Sequence, residues 1–294
     1  MQFGRPMRTI LLLLGMTLGF GSRAWASTHD TRAPSATPAG PTQSSVGPVR
    51  AQPRPPTHTP LLTAQVAWAT RYLTDGFKIG GDNPVWHLSA LATTPIQGLS
   101  FGLWSAIQAE RTQRVWDEID LLAAYQHTFF SKSASALEWS LVGDYFVYPN
   151  AEGPWIPKGN KLQTSLALPQ LLPLLGGQLI PSIQTSYWLY WDQGQRSRFL
   201  GGAHYQAGLQ YDHAFPRLFR AIRQQYVGLG GTVNYHDGAF GVSPGLSHST
   251  AHFGTSVHTA GWIVSALVQR QWSYQPTVNP DDDLWTSLSL RRTF

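Results

Sequence analysis

Asp283-Leu-Trp-Thr-Ser-Leu-Ser-Leu-Arg-Arg-Thr-Phe294 closes the chain, and its reading decides the fold: Leu284, Thr286, Leu288, Leu290, Arg292 and Phe294 share one parity. A period of two over this length is a strand with one apolar face. The same rhythm returns upstream. Leu99, Phe101, Leu103 and Ile107 alternate with Ser100, Gly102, Trp104 and Gln108, and Ile119, Leu121, Ala123 and Tyr125 alternate with Glu118, Asp120 and Gln126. Leu137, Trp139, Leu141, Tyr145 and Val147 are set against Glu138, Ser140 and Asp144; Phe199, Ala203, Tyr205, Ala207, Leu209 and Tyr211 against His204, Gln206 and Gln210. Each run is about ten residues, the length that crosses a bilayer as a tilted strand.

A soluble β-sandwich also alternates, but aromatics at the run ends (Trp68 and Tyr72, Trp86, Trp139 and Tyr145, Tyr187 and Trp191, Trp272 and Tyr274) fit interfacial girdles. No stretch past residue 26 offers ~20 uninterrupted apolar residues, so helical spans are excluded. The sequence predicts an all-β, transmembrane, antiparallel up-and-down β-barrel of about 12 strands, near 63–73, 85–94, 98–109, 117–129, 135–148, 160–169, 178–191, 198–211, 223–236, 247–258, 260–273 and 283–294. Even strand number places both ends in the periplasm. Short turns at 95–97, 130–134 and 259 then face the periplasm, and polar loops at 74–84, 110–116, 149–159, 192–197, 237–246 and 274–282 face outward. Pro181 is the one proline of this region outside the connections, and it weakens the seventh strand.

Two segments precede the barrel. Arg5 and Arg8, the apolar run Ile10–Phe20 and Ala24-Trp25-Ala26 mark residues 1–26 as a secretory signal peptide. Residues 27–60 read as a Pro-rich, disordered periplasmic linker, with eight prolines and no aromatic residue between Thr28 and Pro60. The chain carries a net charge of +5, but residues 61–294 hold 15 basic and 15 acidic side chains. The excess lies in the leader and linker, which removes the case for nucleic-acid binding. With no cysteine, thiolate metal sites, disulfides and thiol nucleophiles are absent.

The closing Phe294 resembles the insertion signal read by the outer-membrane barrel-assembly machinery. Ala69-Thr-Arg-Tyr-Leu-Thr-Asp-Gly-Phe77, then Trp86, Gly102-Leu-Trp104 and Asp117-Glu-Ile-Asp120, resemble the start of the TorF-like putative porins. The sequence departs from that family at Thr74-Asp75-Gly76, where a more basic pattern is usual, and in its Pro-rich lead. The resemblance implies a bacterial outer-membrane barrel in contact with lipid and lipopolysaccharide, admitting small solutes passively, without a cofactor and without enzymatic activity.

If the apolar parity faces lipid, Arg71, Glu118, Asp120, Glu138, Asp144, His204 and Arg291 line the lumen as a candidate solute-selecting set. The competing expectation is an occluded structural or binding barrel, with Trp104, Trp188 and Tyr190 filling the space and charges paired internally. Arg270 falls on the lipid face and requires either snorkelling or a bulge. An outer-membrane lipid hydrolase is a weaker reading: His87-Leu88-Ser89 has the spacing of a His–Ser pair, but on the inward parity. His248 and His252 form at most a two-ligand metal site, and Asp281-Asp282-Asp283 is a solvated rim that offers itself to cations.

Overall fold

The computed structural model describes residues 62–110, 115–131, 133, 135–151, 158–169, 171–192, 198–199, 202–215, 222, 224–238, 242–259 and 261–294. The signal segment, the linker and the side chains of Tyr190 and Trp191 lie outside the described residues.

Twelve long strands form the wall: β1 (Leu62–Ala69), β4 (Val85–Thr93), β5 (Leu99–Gln108), β6 (Glu118–Phe129), β7 (Leu137–Val147), β8 (Lys158–Ala167), β10 (Gly177–Asp192), β12 (Ala203–Phe215), β13 (Gln224–Asp237), β14 (Gly245–Thr259), β15 (Trp262–Ser273) and β16 (Asp283–Thr293). Among the described residues four short strands accompany them: β2 (Tyr72–Thr74) and β3 (Phe77–Ile79), which pair with each other, and β9 (Leu172–Leu174) and β11 (Arg198–Phe199) against β10. Every wall strand pairs antiparallel with its sequence neighbours, and β1 pairs with β16 from Thr63↔Thr293 to Ala69↔Ser287, so the sheet closes. Closure leaves no open edge, a requirement for strands in hydrocarbon. Twelve strands ~4.8 Å apart, tilted ~40°, give a backbone radius of roughly 12 Å.

The alternation read in the sequence is the alternation of the wall. Leu88, Phe101, Leu103, Leu121, Ile183, Leu229, Phe253, Val268 and Leu288 stand exposed on the outside, a surface no water-soluble protein carries. His87, Ser100, Glu118, Asp120, Asp144, Lys161, Ser186, His204 and Gln269 are buried on the inside. This is a transmembrane β-barrel of the bacterial outer-membrane kind, with both described chain ends at the same rim.

Arg270 does face outward. The β14–β15 ladder runs without a shift from His248↔Ser273 to Thr259↔Trp262, which rules out a bulge. Its guanidinium instead turns along the surface over the Trp272 ring, 5.3 Å from the centroid, towards Asp282 at 3.8 Å. Three residues from the strand end, it snorkels to the interface. Pro181 sits inside β10 without breaking it. Its carbonyl accepts from the Leu168 N–H just past the end of β8, so the missing N–H faces a side where that neighbour has already ended.

The first hairpin departs from expectation. β1 ends at Ala69 rather than residue 73, and segment 70–84, expected as strand over 70–73 and as an outward loop over 74–84, folds back into the outer mouth of the barrel. Tyr72, expected in the girdle, is fully buried there.

Candidate functional site: the closed outer mouth

The hairpin turns on Asp75-Gly76, with φ of 48° and 91°, between Thr74 and Phe77, which pair directly. Two successive left-handed residues make the tight turn that suits a twisted hairpin, and Asp-Gly is a favoured sequence for it. Flanking Tyr72, Leu73, Phe77 and Ile79 supply the β-prone arms.

Two sets of contacts seat the hairpin. At the root, the Tyr72 hydroxyl donates to Glu118 Oε2 at 2.6 Å, and its ring packs against His87 and Trp104, at centroid distances of 5.5 and 5.8 Å. His87 and Trp104 stack on each other at 5.3 Å. Arg71 pairs with Asp283 and, through Nε, with Asp82 at 3.2 Å; Lys78 Nζ lies 3.1 Å from both Asp82 and Asp283. Burial pulls the Lys78 ammonium down, but its hydrogen bonds to Asp283 and Asp82 outweigh that and hold it above the ordinary lysine value. The hydrogen bond from Lys78 in turn holds the Asp82 carboxyl below the ordinary carboxylate range, against a smaller opposing effect of burial.

At the tip, residues of five other wall strands converge. Asp75 lies 3.4 Å from Lys161 Nζ of β8 and 3.3 Å from His204 Nδ1 of β12. An imidazole nitrogen of His236 in β13 bonds the Asp75 carbonyl at 2.9 Å, and Gln271 of β15 donates to the Gly76 carbonyl at 2.9 Å. His248 of β14 lies where a β-carbon on Gly76 would stand, 2.4 Å from Nδ1. His204 stacks against His236 and against His248, at 4.7 and 5.9 Å, with those two rings 6.4 Å from each other, and Lys161 lies 4.9 Å from the Trp188 ring centroid.

The sequence-predicted lumen set therefore divides. Glu118, Asp120, Asp144 and His204 sit on the inner wall at the outer end, all buried. Glu138 and Arg291 face inward near the terminal rim, Arg291 opposite Gln65. Arg71 is not on a strand and lines no passage; it clamps the hairpin root. Phe294 reaches the seam, its N–H donating to the Leu62 carbonyl at 2.8 Å, with Arg292 4.9 Å from its ring centroid.

Sequence reasoning missed Asp75, Lys78, Lys161 and His236. The Asp-Gly dipeptide was the available signal for the turn, but its docking partners lie far away in sequence. His87 and Ser89 share the inward face, and His87 is enclosed by Tyr72 and Trp104 rather than open to lipid. His248 and His252 turn to different partners: His248 to Ser247 Oγ at 2.9 Å, His252 to Gln210 Oε1 at 2.8 Å. The aspartate run is engaged by protein groups. Asp283 accepts from Asn279 at 2.6 Å beside its cations, and Asp282 accepts from the Ser273 N–H at 3.0 Å.

Below the hairpin the lining changes. Trp104, Trp188 and Phe146 are among the largest fully buried side chains, all in the outer part of the lumen. Towards the terminal rim several inward positions are small and only partly buried, among them Ser89, Ser140, Ser165, Gly228, Gly254 and Ser289, while Ser100, Ala167, Ile180 and Arg291 are buried. The hairpin stoppers the outer end of the barrel, and the wall below it carries inward polar residues together with a few apolar ones such as Leu122 and Val142.

No family model matches the chain, and neither does any curated protein. Solved structures that resemble it are outer-membrane proteins at low identity. The COG4313 outer membrane channel from Pseudomonas putida F1 is 11% identical, with a TM-score of 0.45 over 86% of this chain and 100% of that one. The β domain of the Bordetella autotransporter BrkA is 10% identical, with a TM-score of 0.43 over 80% and 98%. LpxR from Salmonella typhimurium is 11% identical, with a TM-score of 0.42 over 79% and 100%. At these scores the likenesses add nothing to the geometry, on which the assignment of a membrane barrel rests.

Proposed function

We propose that the chain is an outer-membrane channel for small hydrophilic solutes, held shut by the β2–β3 hairpin and opened when that hairpin leaves the mouth. The observation that carries this reading is the polar character of the tip contacts. Asp75 and Gly76 are held by Lys161, His204, His236 and Gln271 through ion pairs and hydrogen bonds, all of which water can replace. A permanently filled barrel needs no such exchangeable catch. Membership of the TorF-like family belongs to the same proposal: Arg71, Trp104 and Glu118, from the motifs that carry the resemblance, meet around the hairpin root. A lipid hydrolase is less well supported, because His87 is enclosed inside the barrel.

Single-channel recording of the purified barrel in planar bilayers tests this. The native chain is expected to dwell closed with brief openings, and a variant with residues 72–79 replaced by a Gly-Ser link to conduct steadily. Silence in both, with a folded heat-modifiable band on a gel, favours the occluded structural barrel instead. Steady conduction by the native chain removes the hairpin's role.

A further inference from the structure

Strand register places one row of residues side by side around the inner wall. Gln126 of β6 pairs with Ser140 of β7, Ser140 with Ser165 of β8, Ser165 with Gln184 of β10, Gln184 with Gln206 of β12, and Gln206 with Asn234 of β13. Six consecutive wall strands thus present an amide or hydroxyl, with no charge and no apolar side chain between them, all on the inward parity. All except Asn234 are partly open to the lumen. Because a cross-strand row runs perpendicular to tilted strands, it climbs. Gln126 lies three residues from the terminal-rim end of β6, Gln184 is in the middle of β10, and Asn234 lies three residues from the outer end of β13. At its top, Asn234 Oδ1 lies 3.1 Å from His204 Nε2, and His204 faces Asp75 of the hairpin tip.

We infer that this row is a binding track for uncharged, polyhydroxylated solutes of the saccharide class, leading from the terminal rim to the hairpin. A glutamine amide both donates and accepts, matching the two roles of a sugar hydroxyl, and a serine does the same at shorter reach. Ser140 and Ser165 already exchange a hydrogen bond at 2.7 Å, which shows the row spaced for hand-over between neighbours. No residue of the row carries a charge, and the inward Glu138, two residues from Ser140, repels an anion. At the outer end of the wall Glu118, Lys161, His204 and Asp283 are turned instead to the hairpin. The inference rests on the channel reading for its purpose, but binding to the track requires no opening.

Titration calorimetry of the full folded barrel in detergent, with raffinose as the neutral probe and trigalacturonic acid as the charged one, tests it. Saturable, weak binding of raffinose is expected, with trigalacturonic acid at least tenfold weaker. Gln184→Leu combined with Gln206→Leu is expected to weaken raffinose at least tenfold. If that pair does not give a folded band, either single change is expected to weaken it about threefold. No saturable heat with raffinose, equal affinity for the acid, or unchanged binding in the folded variants overturns the inference. Raffinose binding by a barrel that never conducts sinks the channel reading alone; steady conduction by the hairpin-replaced variant without raffinose binding sinks the track alone.

Discussion

Asp75→Asn removes one negative charge from the hairpin tip and little else. Asn tolerates the left-handed backbone at φ 48°, so the turn survives. What is lost is the attraction to Lys161 Nζ at 3.4 Å and to His204 Nδ1 at 3.3 Å, in a site where the Asp75 side chain is 9% exposed and that of Lys161 3%. Removing one partner of a buried pair costs about 3–5 kcal/mol when the remaining charge is stranded. Lys161 is not stranded here, because Asp144 stands directly across from it in the β7–β8 register and is itself buried. The expected loss is therefore smaller, about 2–3 kcal/mol, borne by the closed state alone. At ~1.4 kcal/mol per factor of ten, the open-to-closed ratio rises roughly 30- to 150-fold. Single-channel recording at fixed salt and voltage measures that ratio directly. Asp281→Asn is the control, since Asp281 is exposed and 3.8 Å from Lys78, a contact worth well under 1 kcal/mol. An Asp75→Asn barrel that folds but opens no more often than the Asp281→Asn barrel would refute the reasoning.

Gly76→Ala places a β-carbon 2.4 Å from His248 Nδ1 and 2.9 Å from Val278 Cγ1, on a backbone at φ 91°; the hairpin is expected to unseat, seen as open-channel events without loss of the heat-modifiable band. The root clamp has its own pH dependence. Lys78 is raised, so its contribution is complete below the ordinary lysine value of ~10.4 and is lost as pH rises through the higher folded value; Asp82 is lowered, so its contribution is present above ~3.9 and is lost as pH falls through the lower one. The clamp should hold between those limits and loosen above about pH 10.5, read as open fraction against pH; a root that loosens near neutrality contradicts the assignment. Deleting Phe294 removes the N–H that closes on Leu62 and the ring beside Arg292, and a reduced yield of folded barrel in the outer-membrane fraction is expected; an unaltered yield speaks against an insertion signal there.

Much of the wall was legible because lipid and lumen impose opposite demands on alternate residues, so Phe101 and Leu103 declare their face against Ser100 and Trp104 without any tertiary knowledge. Arg270 broke that rule, and the sequence left two explanations open. The unbroken β14–β15 ladder and the nearby Trp272 ring select snorkelling. The hairpin was not legible in direction. Thr74-Asp75-Gly76-Phe77 signals a turn, yet a polar turn is equally at home in water and in a polar lumen. What decides is whether other wall strands offer partners, and Lys161, His204, His236 and Gln271 belong to four separate strands whose juxtaposition no local pattern encodes. The same holds for the amide row: Gln184 and Gln206 meet only through register, which depends on the whole barrel.

The seating of the hairpin also fixes an order of events during biogenesis. β2 and β3 lie near the start of the barrel sequence, but Asp75 meets His236 across 161 residues, Gly76 meets Gln271 across 195, and Arg71 meets Asp283 across 212. Those partners do not exist in place until the last strands have joined the sheet and β16 has closed on β1. A half-assembled wall is therefore necessarily unstoppered, and the stopper goes in only when the wall is complete.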